Sequence, residues 1–370
     1  MQTTFETFLT NPALIAGLAK QEITTPMPIQ SLVIEPALAN KDLIASSHTG
    51  SGKTLAYLLP IFQKIDPKLK QVQALILAPT HELVAQINQT IKRLANDAEL
   101  PITSAVMMGN MNIEKQIKTL KTKPHIIVGS SGRILELIKK KKLTAHTLKT
   151  IVIDEADNLL DKNQSQDVTA IIKSALRDTQ IMLFSATIHP NTQKVAESFM
   201  KDPLIISTSK ETLLNPNIEH FYIQSEQRKK FETLRKLLNT IHPQKALIFA
   251  NNIHEVEVIV NKLVYHDKNV SGLFGSQTKQ QRQQTLDNFR NGKLNILVSS
   301  DLSARGLDID DVTHIFNLDL PPSAHDYLHR AGRTARGNKS GTAICLVSPK
   351  EQATLKEYEK KLKINIQSYK

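Results

Sequence analysis

The chain has 370 residues, of which 40% are apolar and 22% are charged, and this composition predicts two globular domains rather than one. Lys and Arg exceed Asp and Glu by 47 to 35, and the resulting net charge of +12 suits a polyanionic partner.

The chain has a single cysteine, Cys345, which lies in an apolar run, and one cysteine cannot form a disulfide framework. No apolar stretch reaches membrane-spanning length and no signal peptide opens the chain, so we expect a cytoplasmic protein without a membrane partner. No His or Cys cluster has the spacing of metal ligands, so any metal is expected to arrive with a nucleotide.

The N-terminal segment carries apolar side chains at helical spacing from Phe5 to Ala19, with Asn11 and Pro12 placed to start a helix. The segment ITTPMPIQ follows at 23–30, and its two prolines predict a rigid extended turn before the next helix. Gln30 ends this segment, and its amide can donate and accept hydrogen bonds at once, as reading an adenine edge requires. The alternative interpretation of Gln30 is a polar residue that opens a helix.

The stretch DLIASSHTGSGKT, residues 42–54, predicts a short buried strand, a glycine-bearing turn and the start of a helix. Backbone N–H groups of such a turn converge on a phosphate, and the helix dipole adds to their attraction. Lys53 is placed to reach the outer phosphates and Thr54 to ligate Mg²⁺, while Gly50 and Gly52 let the backbone approach closely. A flexible loop before an ordinary helix is the alternative, since Ser47 stands where the general phosphate-binding pattern has its first glycine.

Further strands alternate with helical segments through the first half of the chain. The segments that contain these strands are 72–78, 104–110, 125–138, 148–160, 180–190 and 203–207. The alternation predicts a mainly parallel sheet with helices on both faces, in which ligands bind beyond the carboxyl ends of the strands. Every polar cluster falls at that edge: Thr49–Thr54, Thr80, Gly109, Ser130–Arg133, Asp154–Asp157 and Ser185–Thr187.

A second α/β pattern follows an aperiodic segment that carries Asn-Pro. It predicts domains at 1–207 and 218–370, joined by a linker at 208–217. Strands are predicted at 221–224, 246–250, 295–300, 314–318 and 342–347, with polar clusters at 300–308 and 329–336. The tail, 350–370, is predicted to form a terminal helix and a short basic end, and the lysine run 139–142 a solvated helix end.

The segment DEAD, residues 154–157, follows a predicted strand. Asp154 can hold Mg²⁺ through water against the phosphates, and Glu155 can orient or deprotonate an attacking water. The alternative interpretation of DEAD is an acidic start to a helix, but the predicted phosphate-binding turn upstream favours the catalytic interpretation.

Arginines recur every three residues at 330, 333 and 336, and guanidinium groups stabilise charge on a transferred phosphoryl group. The three arginines lie in the second predicted domain, and the predicted phosphate-binding turn at 42–54 lies in the first. We therefore expect hydrolysis to require domain closure. A basic surface turn that binds nothing is the alternative.

These motifs together resemble the DEAD-box ATP-dependent RNA helicases of helicase superfamily 2, over nearly the full chain and in a short form without an extended C-terminal tail. ITTPMPIQ resembles the Q motif, with Phe5 at the place of the isolated upstream aromatic. Eight further segments resemble, in chain order, the family's motifs I, Ia, Ib, II, III, IV, V and VI. Their sequences are SSHTGSGKT, PTHEL, GSSGR, DEAD, SAT, LIFANN, SDLSARGLDI and HRAGRTAR. The order and spacing of these matches make the resemblance specific.

The resemblance implies two RecA-like domains with ATP and Mg²⁺ between them, and RNA bound across both without sequence preference. It implies a monomer, with ribosomal or RNA-decay proteins as partners. The implied ATP-binding residues are Phe5, Gln30, Thr49, Gly50, Ser51, Gly52, Lys53, Thr54 and, at the ribose, Asp308. The implied catalytic residues are Lys53, Asp154, Glu155 and the arginine fingers Arg333 and Arg336, with Thr54 and Asp154 as metal ligands. Coupling is implied for Asp157, Ser185, Thr187 and His329, and RNA binding for Pro79, Thr80, Gly109, Gly132, Arg133, Ser300, Arg305 and Gly306.

The chain departs from the family pattern mainly in the RNA-contacting motifs. The replaced positions are Ile23, Met27, Ser47, His81, Asn110, Ser131, Phe274, Lys279 and Ala335. The hydrolytic carboxylates, Lys53 and Thr54 are intact, so we expect ATP hydrolysis together with an RNA grip that is weaker and more salt-sensitive than the family norm. Two functions stay open: an enzyme that separates short RNA duplexes, and an ATP-gated clamp or ribonucleoprotein scaffold with little unwinding. A DNA helicase is a third, less favoured alternative.

Overall fold

The computed structural model describes residues 4–48, 50–109, 111–160, 165–188, 190–208, 215–300, 311–335 and 339–369, without the side chains of Pro190, Lys279 and His325. The chain divides into two compact units: unit 1 takes in 1–47 and 51–210, and unit 2 takes in 48–50 and 211–370. Each unit contains a seven-stranded sheet, and every strand pair described is parallel. The parallel sheets predicted from the alternating pattern are therefore confirmed.

The sheet of unit 1 has the strand order β3-β4-β2-β5-β6-β1-β7. Its strands are β1 (Leu43–Ser46), β2 (Ala74–Leu77), β3 (Ser104–Met107), β4 (Ile126–Gly129), β5 (Thr150–Ile153), β6 (Gln180–Ser185) and β7 (Leu204–Ser207). Strands β2, β4, β5 and β6 are buried along their whole length, because helices cover both faces of the sheet. The register places Ser46 beside Ser185, which brings the ends of β1 and β6 together.

Helices pack on the two faces of this sheet over separate apolar clusters. They are α1 (Pro12–Lys20), α2 (Pro28–Leu38), α3 (Lys53–Lys64), α4 (His81–Asp97), α5 (Ile113–Leu120), α6 (Ser131–Lys139), α7 (Ala156–Leu159), α8 (Ser165–Ser174) and α9 (Pro190–Glu197). Asn11 caps α1 by accepting a hydrogen bond from the Ala13 N–H, as predicted. The helical spacing from Phe5 was only partly right, because Phe5–Thr7 form a separate 3₁₀ turn.

The sheet of unit 2 has the strand order β10-β11-β9-β12-β13-β8-β14. Its strands are β8 (Ile218–Gln224), β9 (Ala246–Phe249), β10 (Val270–Gly272), β11 (Ile296–Ser299), β12 (His314–Asn317), β13 (Gly341–Val347) and β14 (Gln367–Ser368). The described helices are α10 (Lys230–Ile241), α11 (Ile253–Tyr265), α12 (Lys279–Arg290), α13 (Ala324–Ala331) and α14 (Gln352–Leu362).

Two strands of unit 2 differ from the sequence prediction. Strand β10 has three residues, too few to show a period, and was missed. The tail was predicted as a helix with a basic end, and this is wrong beyond α14, because Gln367 and Ser368 pair with β8. The Tyr369 ring packs edge-on against Phe221 at 5.3 Å between ring centres, which ties the tail to the sheet.

Other predictions about single segments hold. Cys345 is fully buried in β13. The lysines at 139–142 are exposed at the end of α6, as predicted for a solvated helix end. Among the described residues, no helix is long and apolar enough to cross a membrane.

Candidate functional site

A glycine turn joins β1 to α3 at the carboxyl edge of the sheet of unit 1. Gly50 and Gly52 have φ values of +79° and +87°, the left-handed region that glycine adopts without strain. A Cβ added to Gly52 would lie 2.5 Å from Gln30 Nε2, so this position has no room for a side chain. Lys53 opens α3 and its ammonium donates to the Ser47 carbonyl across the turn. Thr49, predicted to contact phosphate, lies outside the described residues.

Gln30 is buried and its amide bonds to two backbone groups. Its Oε1 accepts the Met27 N–H at 2.8 Å, and its Nε2 donates to the Gly52 carbonyl at 3.1 Å. Gln30 lies in the first turn of α2, so the alternative interpretation, a polar residue that opens a helix, is also partly correct. The amide keeps one N–H and one lone pair, which are the two groups that pair with an adenine edge. Adenine recognition by Gln30 stays a prediction.

Phe5, the other predicted adenine neighbour, lies in the hydrophobic core of unit 1. Its side chain is 2% exposed and belongs to the cluster under α1, α2 and α3. The structure therefore gives the ring a packing role, and its contact with a nucleotide stays a prediction.

Asp154 is buried directly after β5, and both carboxylate oxygens are engaged. Its Oδ1 accepts the Glu155 N–H at 2.9 Å, and its Oδ2 accepts the Tyr57 hydroxyl at 2.9 Å. Burial and, to a smaller extent, the Glu155 charge raise the pKa of the Asp154 carboxyl, while the Lys53 charge and the two hydrogen bonds lower it, and the net pKa is about 6. The sheet thus places the Lys53 and Asp154 charges within electrostatic reach of each other, as the strand-end argument predicted.

Glu155 has a left-handed backbone conformation, with φ of 49° and ψ of 51°. A non-glycine residue in this region stores strain of about 1–3 kcal/mol, and such residues cluster at functional sites. The Glu155 carboxylate accepts a hydrogen bond from the Asn158 side chain at 3.3 Å, which limits its orientations. Asp157 lies in the first turn of α7, so the alternative interpretation of DEAD as an acidic start to a helix is correct for this residue.

Two hydroxyls at the same edge are buried without a hydrogen-bond partner among the described residues. They are Ser51 Oγ in the glycine turn and Thr187 Oγ1 after β6. Ser185 is fully buried, its Oγ accepts the Thr187 N–H, and its carbonyl accepts the Ser47 N–H. A buried hydroxyl without a partner is destabilising, and a ligand that bonded to these two groups would remove that cost.

These residues fit a nucleotide with Mg²⁺. The turn offers backbone N–H groups, a lysine and a helix start for phosphates, and the Ser51 hydroxyl has no hydrogen-bond partner among the described residues. Thr54 and Asp154 supply oxygen atoms, the ligands that Mg²⁺ prefers. A cation beside Asp154 would offset the cost of burying its negative charge.

The unit 1 residues predicted to bind RNA lie just after the ends of β2, β3 and β4. Thr80 caps α4 by accepting the Leu83 N–H at 3.2 Å, and Pro79 before it is half-buried. Arg133 donates to the carbonyls of Met111 at 2.9 Å and Gly109 at 2.6 Å. This arginine therefore holds the loop after β3, a task that the sequence did not reveal.

Gly109 and Gly132 are both exposed with space around them. A Cβ on Gly109 would meet no atom within 4 Å, and one on Gly132 would meet only Asp167 Oδ2 at 3.5 Å. Nothing in the described fold requires glycine at these two positions. A bare backbone there leaves room for a ligand to approach closely.

In unit 2, Ser300, which follows β11, is buried, and so are His329 in α13 and Arg333 just after that helix. Arg305, Gly306, Asp308 and Arg336 lie outside the described residues, so their predicted roles gain no structural support.

The sequence pattern grouped Arg330 with the phosphate-binding arginines, and the structure corrects this interpretation. It is 1% exposed, and its guanidinium donates to Asn317 Oδ1 at 3.2 Å, to the Asp319 carbonyl at 2.9 Å and to Asn251 Oδ1 at 2.6 Å. Its guanidinium carbon also lies over the Phe249 ring, 5.1 Å from the centre. These contacts make Arg330 a structural residue of unit 2.

Two departures from the family pattern acquire a physical meaning. Ser47 is buried and its Oγ accepts the Thr208 hydroxyl at 2.7 Å, a bond that the usual alanine cannot make. Ala335, which replaces a glycine, has a left-handed φ of +54° and is buried. The Ala335 carbonyl accepts the Asn215 side chain, which helps to hold this strained conformation.

Sequence comparison assigns both units. The sequence profile of the "DEAD/DEAH box helicase" family matches residues 27–195, and that of the "Helicase conserved C-terminal domain" matches 229–338. The DEAD-box ATP-dependent RNA helicase CshC of Bacillus cereus is 41% identical over 336 residues, which span 91% of this chain and 85% of that protein. CshA of Bacillus subtilis, with the same family description, is 34% identical over 98% of this chain and 73% of its own length.

Solved structures agree. S. cerevisiae Dbp5 bound to RNA and ADP BeF3 matches with a TM-score of 0.90 and 28% identity, over 99% of this chain and 95% of that one. Mss116p bound to ssRNA and AMP-PNP matches with a TM-score of 0.89 and 25% identity, over 100% of this chain and 80% of that one. The predicted pair of RecA-like domains is thereby confirmed, and the chain belongs to the DEAD-box ATP-dependent RNA helicase family.

Proposed function

We propose that this chain is an RNA-dependent ATPase that separates short RNA duplexes or remodels RNA–protein complexes. The observation that carries the proposal is the edge of unit 1, where the glycine turn, Lys53 and the buried Asp154 carboxylate converge. Family membership supports it, since the relatives are named ATP-dependent RNA helicases. Two structural neighbours are bound to RNA with a nucleotide analogue.

ATP would lie on the glycine turn. Lys53, which donates to the Ser47 carbonyl in the absence of ligand, would turn its ammonium to the outer phosphates. The Ser51 hydroxyl would find its missing partner on a phosphate oxygen. Gln30 would read adenine with the N–H and lone pair that its backbone bonds leave over.

Thr54 and Asp154 would hold Mg²⁺, Asp154 through water. Bound Mg²⁺ neutralises phosphate charge as the bond to the transferred group breaks. Glu155 would orient or deprotonate the attacking water, with its carboxylate held by Asn158. Arg333 and Arg336 of unit 2 would act as arginine fingers, so hydrolysis would occur only when the two units close on each other.

RNA would bind along the strand ends that carry Thr80, Gly109 and Gly132 and continue onto unit 2. The open space at Gly109 and Gly132 supports this, because the phosphate backbone can approach a residue without a Cβ. His81 and Ser131 stand where the family has an arginine and a proline, so we propose a weak and strongly salt-dependent grip. An RNA affinity that barely changed with salt would contradict this proposal.

ATP hydrolysis measured with and without single-stranded RNA, beside a Glu155→Gln variant, tests the proposal. We expect RNA to stimulate hydrolysis and the variant to lose it while retaining nucleotide binding, because only the water-orienting carboxylate has changed. Hydrolysis that ignores RNA, or a fully active variant, would contradict the proposal.

An ATP-gated RNA clamp is the second candidate, because the same nucleotide-binding and RNA-contacting motifs would serve a protein that retains RNA without separating strands. The two functions differ in two measurements: strand separation of a short duplex, and retention of RNA with a non-hydrolysable ATP analogue. Strand separation supports the helicase, whereas tight retention without strand separation supports the clamp. Competition between matched RNA and DNA strands tests the choice of nucleic acid.

A further inference from the structure

Tyr57 lies on α3, one helical turn after Thr54, and its side chain is fully buried. Its hydroxyl donates to Asp154 Oδ2 at 2.9 Å. The phenol has a single proton, and the Asp154 carboxylate accepts it. The Tyr57 hydroxyl therefore joins α3, whose first turn holds Thr54, to the carboxylate that follows β5.

This hydrogen bond sets the direction of the oxygen lone pairs of Asp154, one of the two proposed metal ligands. Asp154 has one oxygen fixed by the Glu155 N–H and the other by Tyr57, so its carboxylate cannot rotate. Each carboxylate oxygen keeps a further lone pair for a cation or its bound water.

The position of the Tyr57 ring is itself fixed. It packs on Phe184 of β6 at 5.1 Å between ring centres, with the planes inclined by 58°. Phenylalanine would pack equally well on Phe184, so packing alone does not require the hydroxyl.

We propose that Tyr57 is a positioning residue for the Mg²⁺ site, whose hydroxyl fixes the orientation of the Asp154 carboxylate for the cation. The inference rests on the proposed function, because it requires Mg²⁺ to bind with the nucleotide. Outer partners of metal ligands commonly account for about 10- to 100-fold in metal affinity. Tyr57 acts through Asp154 and contacts neither substrate nor the reacting water.

The test is Tyr57→Phe, which removes one oxygen atom and keeps the ring. The matched control is Tyr358→Phe, which removes a buried hydroxyl that donates to the Pro321 carbonyl at 2.7 Å in unit 2. Binding of a fluorescent ADP analogue is titrated for the wild type and both variants, once in EDTA and once across a series of Mg²⁺ concentrations. Unfolding temperatures of all three proteins are recorded with and without MgADP.

We expect all three proteins to bind the analogue equally in EDTA, where no cation is present. In Mg²⁺, Tyr57→Phe should need about 10-fold more cation for half-maximal enhancement of binding, while Tyr358→Phe should follow the wild type. The rise of the unfolding temperature with MgADP should shrink only in Tyr57→Phe. A wild-type Mg²⁺ response in Tyr57→Phe, or an equal loss in both variants, would overturn the inference alone. A wild-type chain whose ADP affinity ignores Mg²⁺ would overturn the proposed function as well.

Discussion

Units 1 and 2 each bury a charged side chain beside the strand ends of a parallel sheet, but they satisfy the charge differently. The Arg330 guanidinium in unit 2 donates hydrogen bonds to Asn251, Asn317 and the Asp319 backbone, and it lies over the Phe249 ring. Asp154 in unit 1 has two donors, and burial still raises its pKa to about 6. The charge of Arg330 is therefore compensated by the fold, whereas that of Asp154 is only partly compensated.

The difference separates a structural charge from a functional one. A buried charge surrounded by partners of its own domain holds that domain together, and removing it leaves those partners unsatisfied. A buried charge that lacks compensation is destabilising, which is tolerated where a ligand supplies the missing partner. Both side chains lie in highly recognisable motifs, so motif membership does not distinguish the two roles.

Replacing Arg330 gives the largest expected effect on stability and tests one side of the comparison. Arg330→Ala should lower the free energy of unfolding by about 4 kcal/mol, because three acceptors lose their donor in a buried site. Chemical denaturation monitored by circular dichroism measures it, with the surface variant Arg290→Ala as the control. If Arg330→Ala keeps wild-type stability and loses only ATP hydrolysis, Arg330 is a phosphate ligand and the comparison fails.

His220 sharpens the comparison, since unit 2 also buries a titratable ring that the fold keeps neutral. Its Nδ1 bonds to the Tyr327 hydroxyl at 2.7 Å, and burial lowers the pKa of the imidazole to about 4. Between about pH 4 and 6.5 the unfolded chain binds a proton that the folded chain does not, so this contribution is present above pH 6.5 and is lost as the pH falls.

From pH 7 to 4, the wild type should therefore lose about 3 kcal/mol more unfolding free energy than His220→Gln, which does not titrate. Urea denaturation at a series of pH values measures the difference. Parallel pH profiles for the two proteins would show that His220 titrates normally in the folded state.

Gly132 tests the proposed RNA surface of unit 1. Gly132→Ala should leave the free energy of unfolding within about 0.5 kcal/mol of wild type, since a Cβ there meets only ordinary contact. RNA affinity should fall about 10-fold, equivalent to about 1.4 kcal/mol, because the methyl group stands where the RNA backbone would approach. Fluorescence anisotropy with labelled single-stranded RNA measures it.

The contrasting variant is Gly17→Ala, whose Cβ would lie 2.8 Å from Ala98 atoms. It should lose about 1–3 kcal/mol of stability through overpacking, and its folded fraction should bind RNA normally. Unchanged RNA affinity in Gly132→Ala would place the RNA elsewhere.

Ala335→Gly gives the smallest expected effect. Glycine adopts the left-handed φ of +54° without the Cβ clash, so the change should raise the free energy of unfolding by about 1 kcal/mol. A stability equal to or below that of the wild type would mean that the surrounding contacts, including the Asn215 bond, fully compensate the strain.

The hydrophobic pattern was enough to predict most strands of both sheets, because buried parallel strands are continuous apolar runs that end abruptly. It was not enough for β10 and β14, with three and two residues, because their pairing with a neighbouring strand defines them. The same limit applies at the site. Spacing brought Gly52, Lys53 and Asp154 to one edge, but Tyr57 looked like an ordinary apolar position of an amphipathic helix.

The sequence by itself determined the family, the order of the two α/β units and which polar clusters lie at the strand ends, because these depend on local pattern and motif spacing. Only the tertiary structure decided that Arg330 and Arg133 bond to their own domain, that Phe5 packs in the core and that the Tyr57 hydroxyl bonds to Asp154. Each of these hydrogen bonds joins residues that are far apart in the chain. The direction of a side chain and the identity of its partner depend on how helices and strands pack, and this information is absent from any short stretch of sequence.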